Sequence, residues 1–148
     1  MRALRRKRMC LVRLIYTSRA VQALQATDLQ RLVEAAGRNN WRDEITGALL
    51  FHHGRFIEVL EGARADVSAC FLRIAKDARH RDCVLLGLQD IPERAFGAWS
   101  MKLLPWSPSI AGDVESIFES ADSGEADRVA SAVSVMQRLA AAPLVVPA

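Results

Sequence analysis

A glutamate interrupts an apolar strand near the middle of the chain. Residues 45–62 read ITGALLFHHGRFIEVLEG, in which Gly54 lies in a polar turn between two apolar runs, so we predict a β-hairpin. Since side chains alternate across a strand, Phe56, Glu58 and Leu60 share one face of its second arm. A carboxyl group between two apolar neighbours must be solvated at an edge, paired, protonated, or directed at something other than core. Glu58 is therefore the first candidate for chemistry.

Other polar side chains could collect around Glu58. They are Tyr16, Asn39, Asn40, Asp77, Arg79 and His80. If Tyr16 and Glu58 share the helix-covered face of adjacent strands, their hydroxyl and carboxyl groups could meet. Two amides and an arginine nearby would suit a flat heterocycle rich in carbonyls and ring nitrogens. Each residue also has a purely structural interpretation, as a core tyrosine, a helix-end residue or part of a solvated loop. Spacing alone favours that interpretation for each of them.

The hydrophobic pattern predicts the elements that must position these residues. The predicted strands cover residues 11–17, the two arms of the hairpin, 83–88 and 99–104. One helix is expected to begin at a capping-box pattern in residues 27–30 and to end at Gly37. A second helix is expected from Val67 to about Lys76. Polar loops are expected at residues 38–43 and 77–80. The order βαββαβ followed by a fifth strand predicts an α+β, ferredoxin-like sandwich with two helices on one face of a mainly antiparallel sheet.

The chain divides into three predicted parts: a basic tail at residues 1–10, a domain at 11–104 and a helical extension at 105–148. The last strand of the domain is expected to carry Trp99, Met101 and Leu103 on one face. The extension is expected to contain helices near residues 114–119 and 125–141. Its longer helix has an apolar stripe that must cover either the other face of the sheet or a partner chain: Val129, Val133 and Met136.

Composition narrows the classes of protein. Of 148 residues, 51% are hydrophobic, which suits one buried core. The formal charge is +3, but five basic residues lie in the first nine, so the rest carries −2 and no nucleic-acid-binding face is expected. The apolar run after the tail contains Arg13 and is too short for an export signal, and no run is long enough to span a bilayer.

The cysteines and histidines do not follow the patterns of disulfide or metal sites. Three cysteines without CxxC spacing fit reduced core thiols, so we expect a cytoplasmic protein. The adjacent His52 and His53 are typical of a turn and not of a metal site.

Five motifs occur along the chain in one order: IYTSRA at 15–20, RNNW with ITGALLF at 38–51, RFIEVLEG at 55–62, DARH at 77–80 and RAFGAWSMKL at 94–103. Together they resemble the BLUF family, blue-light sensors that use flavin, over about residues 11–104. The resemblance implies a ferredoxin-like fold with the isoalloxazine ring of FAD, or of FMN, inserted between the two helices.

The resemblance also implies roles for single residues. Tyr16 matches the tyrosine that gives an electron and a proton to the excited flavin. Asn40 matches the asparagine that hydrogen-bonds the ring around its carbonyl and N3 positions, and Asn39 the polar residue beside it. Trp99 and Met101 match the pair that relays the signal. Three more residues fall in the loop that approaches the polar edge and side chain of the flavin: Asp77, Arg79 and His80.

One position departs from the family pattern F-x-Q-x-L-E-G, because Glu58 stands where the family has glutamine. Glutamine offers a donor and an acceptor on one planar group, so it can bridge Tyr16 to the flavin and then rearrange. An ionised glutamate only accepts hydrogen bonds, whereas a protonated one keeps a single donor. Burial can raise a carboxyl pKa by up to ~3–5 units, enough to hold that proton at neutral pH. We therefore expect an impaired photocycle.

Two functions follow from these observations. The first is a flavin-binding BLUF-type photoreceptor, not an enzyme, that acts through its C-terminal helices on a separate protein or on a second copy of itself. The second is a BLUF-like domain without flavin that serves as a dimerising interaction module. An acylphosphatase is disfavoured because the glycine-rich phosphate loop is absent after the first strand, and an RNA-binding sheet because paired stacking aromatics are absent.

Overall fold

A computed structural model describes residues 11–124 and 129–141. Its strands are β1 (Leu11–Ala20), β2 (Thr46–His52), β3 (Arg55–Ala63), β4 (His80–Asp90) and β5 (Lys102–Leu103). Its helices are α1 (Ala26–Arg42), α2 (Arg64–Ala75), α3 (Ala111–Ser123) and α4 (Val129–Ala141), with a short 3₁₀ turn at Pro108–Ile110. The predicted basic tail at residues 1–10 lies outside the described residues, as do 125–128 and 142–148.

The five strands form one sheet in the order β4-β1-β3-β2-β5. The pairs β1–β3, β1–β4 and β2–β3 are antiparallel, whereas β5 runs parallel to β2. The hairpin turn places His53 and Gly54 at positive φ, 50° and 74°, which lets β3 fold straight back on β2. The predicted α+β, ferredoxin-like fold with an added strand is confirmed.

The first helix differs from the prediction at both ends. It begins at Ala26, where the Asp28 carboxylate accepts the backbone N–H of Gln25 at 2.8 Å, and it continues five residues past Gly37 to Arg42. Gly37 does not end the helix; a Cβ there would lie 3.3 Å from Oγ of Ser100. The glycine instead allows α1 to approach the segment that precedes β5.

Other boundaries also differ from the prediction. Helix α2 begins at Arg64, and β4 begins at His80, so the loop predicted at 77–80 ends one residue early. The fifth strand is only Lys102–Leu103, because residues 91–101 follow an irregular path that side-chain and backbone contacts elsewhere in the protein hold in place.

The sheet separates two apolar layers. One lies beneath α1 and α2 and contains Tyr16, Val33 and Leu60, among others. The other lies beneath α3 and α4 and contains Ile15, Ile57 and Val59. The apolar stripe of the last helix therefore covers the second face of the sheet, with Val133 and Met136 buried and Val129 packed against the same cluster. Within residues 11–124 and 129–141, no helix is long and apolar enough to cross a membrane.

Candidate functional site

Tyr16 and Glu58 meet in the layer beneath α1 and α2. They are direct cross-strand partners in the antiparallel β1–β3 pair, so their side chains emerge on the same face. The Tyr16 hydroxyl donates a hydrogen bond of 2.5 Å to Oε1 of Glu58. The two residues are only 3% and 4% exposed, so the pair is shielded from bulk water. The predicted juxtaposition is present.

Burial controls the charge of this pair. It raises the pKa of the Glu58 carboxyl to about 7, and the hydrogen bond from Tyr16 opposes the rise. Burial, together with the neighbouring Glu58 carboxylate, raises the pKa of the Tyr16 hydroxyl well above its ordinary value. Tyr16 therefore keeps its proton at neutral pH, and Glu58 holds its proton to a higher pH than an exposed carboxyl does.

Asn40 is buried, whereas its neighbour Asn39 is exposed. Because α1 extends to Arg42, both amides lie on its last turns and not in the loop that was predicted. The Asn40 side chain donates a hydrogen bond of 2.8 Å to the backbone carbonyl of Ser100 and lies 3.7 Å from the Cys70 thiol, which donates to its carbonyl oxygen. Asn40 thus links α1 to α2 and to the segment before β5.

Of the three residues predicted to lie in the loop before β4, Asp77 and Arg79 pair with each other. The Asp77 carboxylate accepts hydrogen bonds from the backbone and the guanidinium of Arg79, which lower the pKa of the carboxyl to about 2. The ring of His80 approaches the buried pair, with its centroid 6.3 Å from that of Tyr16. His80 is held by Ser18 Oγ at 2.8 Å and by the backbone carbonyl of Ile74 at 2.5 Å.

Trp99 and Met101 do not share a face, contrary to the prediction. Met101 is buried in the same layer as Tyr16, whereas Trp99 packs against the layer beneath α3 and α4. Both residues precede the two-residue β5, so the two-residue alternation of a strand does not apply to them. Trp99 and Met101 therefore lie in different apolar layers, one on each face of the sheet.

A buried ionic network that the sequence analysis missed lies on the opposite face of β3. Glu61 is fully buried and accepts hydrogen bonds from Arg13 and from two backbone N–H groups of residues 95 and 96. The available signal was the position of Arg13 and Glu61, each on the otherwise apolar face of its strand.

A second ionic contact ties the extension to the sheet. Asp122 of α3 accepts hydrogen bonds from Arg55 at 2.9 and 3.0 Å and from Arg19 at 3.3 Å. The Arg55 guanidinium also lies 4.2 Å from the ring centroid of Phe118. Arg19 and Arg55 are cross-strand partners on the strands that carry Tyr16 and Glu58.

Two other features bear on the kind of site: the metal-ligating side chains and a groove on the surface. In the described part of the chain, no cluster of histidine, cysteine and carboxylate side chains could hold a metal ion. An open groove of about 670 Å³ lies along α1 and is lined by residues that include Trp41, Ser100 and Met101, but not by Tyr16 or Glu58.

Comparisons with known proteins agree with this geometry. The family model for sensors of blue light using FAD, BLUF, matches residues 11–102. A photoactivated adenylate cyclase subunit beta of Euglena longa is 36% identical over 92 residues, 62% of this chain and 11% of that protein. The blue light- and temperature-regulated antirepressor BluF of Escherichia coli is 33% identical over 93 residues, 63% of this chain and 23% of that protein. The chain thus spans about a tenth of the Euglena longa protein and about a quarter of the Escherichia coli one.

Two solved structures match nearly over their full length. The dark-state structure of the BLUF protein BlrB superposes with a TM-score of 0.71 and 29% identity, covering 86% of this chain and 96% of that one. The photo-activated state of BlsA superposes with a TM-score of 0.75 and 26% identity, covering 90% and 96%.

Proposed function

The chain belongs to the BLUF family of blue-light sensors, and from that membership we propose that it is a cytoplasmic flavin-binding photoreceptor with a carboxylic acid in its light-sensitive network. The observation that carries the proposal is the buried hydrogen bond from Tyr16 to Glu58. A carboxyl group in a dry layer is costly unless a polar partner shares the site. The proposal gives that acid a partner in addition to Tyr16.

The side chains around the pair suit a flavin. Tyr16 engages only Oε1 of Glu58, which leaves the second carboxyl oxygen for a ligand. The Asn40 amide keeps one N–H beyond the one given to Ser100, and its carbonyl oxygen has only a weak thiol donor. A donor and an acceptor on one amide match the carbonyl and N–H groups on the polar edge of the ring. FAD or FMN would be held by these three side chains, and the bound flavin supplies the absorption of blue light.

Within that site each residue has a defined task. Tyr16 holds a proton 2.5 Å from Glu58, in a place where ionising its hydroxyl is strongly disfavoured. Glu58 in its neutral form donates one hydrogen bond and accepts others, whereas its anion only accepts. The orientation of its single O–H group therefore determines to which polar neighbour Glu58 donates a hydrogen bond. Asn40 donates to the Ser100 carbonyl next to Met101, and its remaining donor and acceptor would hold the polar edge of a bound flavin.

We propose that the output passes through the extension and not through a catalytic site of this domain. Helices α3 and α4 cover the second face of the sheet, and Arg19, Arg55 and Asp122 join α3 to the strands of the buried pair. The cyclases named among the relatives match this chain only over about 90 residues. The proposed recipient is a separate protein or a second copy of this chain, bound through the C-terminal helices.

Glu58 also favours a second candidate function, a flavin-free interaction module. The acid already has a partner in Tyr16, and its one donor hydrogen cannot replace the two of a glutamine amide. Leaving a polar group unmet in a dry site costs about 1–3 kcal/mol, which would weaken flavin binding.

The visible absorption spectrum of protein purified with added flavin, before and after blue light, tests the proposal. A flavin band that shifts reversibly supports the photoreceptor. A band that is present but inert supports flavin binding without the photocycle. If no band appears even with excess FAD, the interaction module is the better function.

A further inference from the structure

A buried network holds the irregular segment between β4 and β5, and the flavin site makes no use of it. We propose that Glu61 is a positioning residue whose carboxylate fixes this segment and thereby sets the places of Trp99 and Met101. This inference rests on the proposed function, in which those two residues connect the buried pair to the extension.

The Glu61 carboxylate accepts three hydrogen bonds, from donors in two directions. Oε1 accepts the backbone N–H of Phe96 at 2.7 Å. Oε2 accepts the backbone N–H of Ala95 at 3.1 Å and Nε of Arg13 at 2.7 Å. Glu61 is fully buried and the Arg13 side chain is 13% exposed, so these contacts lie largely out of water, where hydrogen bonds to a charged group are strong. One carboxylate thus ties the segment to β1 and β3 together.

Arg94 secures the start of the same segment. Its Nη1 donates to the backbone carbonyl of Glu61 and to Oγ1 of Thr46, each at 2.9 Å, and its Nη2 donates to the backbone carbonyl of Glu44 at 2.8 Å. Thr46 and Glu61 are cross-strand partners in the β2–β3 pair. The planar guanidinium therefore spans the end of the hairpin with a geometry that lysine cannot reproduce.

The end of the segment nearest β5 is held by Gly47 of β2 and by Asn40 of the candidate site. The backbone N–H of Gly47 donates to the carbonyl of Trp99 at 3.0 Å, and Asn40 donates to the carbonyl of Ser100 at 2.8 Å. Only residues 97 and 98 separate the Phe96 amide held by Glu61 from Trp99. Release of the Glu61 carboxylate would free the backbone at residues 95 and 96, and Arg94 alone would then hold the segment upstream of Trp99.

Glu58 and Glu61 are three residues apart on β3 and project to opposite faces of the sheet. A displacement of β3 caused by a change at Glu58 therefore moves an anchor of the Trp99 segment as well. A residue that only filled the core would lack this connection, since it would contribute stability without directed hydrogen bonds to residues 95 and 96.

Amide hydrogen exchange with mass spectrometry on the full chain, in the dark, tests the positioning role. In Glu61→Gln, the neutral amide turns an N–H₂ group toward one of its donors. We expect exchange at residues 95–101 to rise at least about tenfold, while β1 changes much less. Glu61→Asp, which keeps the charge, should restore part of the protection. Arg94→Lys serves as a second variant that opens the same segment if Glu61→Gln does not fold.

Val59→Ala is the matched control, because Val59 is fully buried on the same face of β3 but makes no side-chain hydrogen bond to the segment. It should raise exchange across the domain without singling out residues 95–101. The proposal is overturned if Glu61→Gln gives this same uniform pattern, or leaves residues 95–101 as protected as in the wild type.

The lifetime of the light-shifted absorption band provides the functional readout. We expect it to change at least about threefold in Glu61→Gln and to stay at the wild-type value in Val59→Ala, with the dark flavin band unchanged in both. An unchanged lifetime in Glu61→Gln would overturn the link to the light response. A wild-type protein without a reversible shift would instead overturn the proposed function, and the exchange pattern would still decide the positioning role.

Discussion

The hydroxyl of Tyr16 and the carboxyl of Glu58 share a hydrogen bond of 2.5 Å between directly paired positions of β1 and β3, in a layer almost closed to water. The strand pairing places the two side chains opposite each other on one face of the sheet. Its consequences for stability and for light sensing both follow from whether Glu58 carries its proton.

The stability of the protein should fall between pH 4.5 and about 7. The pKa of Glu58 is about 7 in the folded state and about 4.5 when exposed, so the folded state binds the extra proton in this window. The full effect is about 3 kcal/mol, retained below the unfolded pKa and lost as pH rises through the folded one. Urea unfolding of wild type and Glu58→Gln at several pH values measures it. The unfolding free energy of the wild type, relative to that of Glu58→Gln, should fall as pH rises through this window. A difference between the two proteins that does not depend on pH would contradict the prediction.

Any light response of the native chain should weaken as pH rises through about 7, where Glu58 loses its only donor hydrogen. The measurement is the amplitude of the light-induced shift of the flavin band, at constant flavin occupancy. Glu58→Gln should show a larger red shift that does not depend on pH in this range. A yellow Glu58→Gln protein with no shift would contradict the role given to this position.

Tyr16→Phe should retain the fold and abolish the light-induced shift. The substitution removes the donor that lowers the pKa of Glu58, so the carboxyl should stay protonated to a higher pH than in the wild type. Losing this hydrogen bond should cost about 1–3 kcal/mol. Absorption difference spectra and urea unfolding of the same sample check both effects, and a shift of wild-type size would exclude Tyr16 as the responding group.

The two adjacent asparagines allow a matched comparison. Asn40→Ala removes a buried bond to the Ser100 carbonyl and should cost about 1–3 kcal/mol, together with most flavin binding. Asn39→Ala changes an exposed side chain and should stay within about 0.5 kcal/mol of wild type. Equilibrium unfolding and titration with FAD compare the variants. Equal effects of the two substitutions would show that burial of Asn40 does not matter for binding.

The sequence allowed the fold and the central contact to be predicted for the same reason. Alternation along β1 and β3, and the adjacency of these strands in a ferredoxin-like sheet, are local and topological rules that placed Tyr16 opposite Glu58. The end of α1 was wrong because Gly37 stops a helix only when nothing else stabilises the next turn. Here that turn buries Asn40 against Ser100.

The errors farther along the chain have a common physical origin. Trp99 and Met101 were assigned one face because a longer fifth strand was expected, but the segment is shaped by contacts with Glu61 and Arg94. Those contacts join residues 33 to 50 positions apart, and no local pattern encodes them. Sequence reasoning could identify the buried charges as anomalies but not their partners.

The ionic contact between α3 and the sheet should contribute more than an ordinary surface pair. Arg55 is 12% exposed on its side chain and stacks on Phe118, so Asp122→Ala leaves a poorly hydrated guanidinium without its carboxylate. We expect a loss of about 1–2 kcal/mol in unfolding free energy and increased amide exchange in α3. Asp113→Ala is the control, because its partner Arg138 is 56% exposed and the pair should contribute less than about 0.5 kcal/mol. If both variants lose the same small amount, the contact is an ordinary surface pair and does not join α3 to the strands of the site.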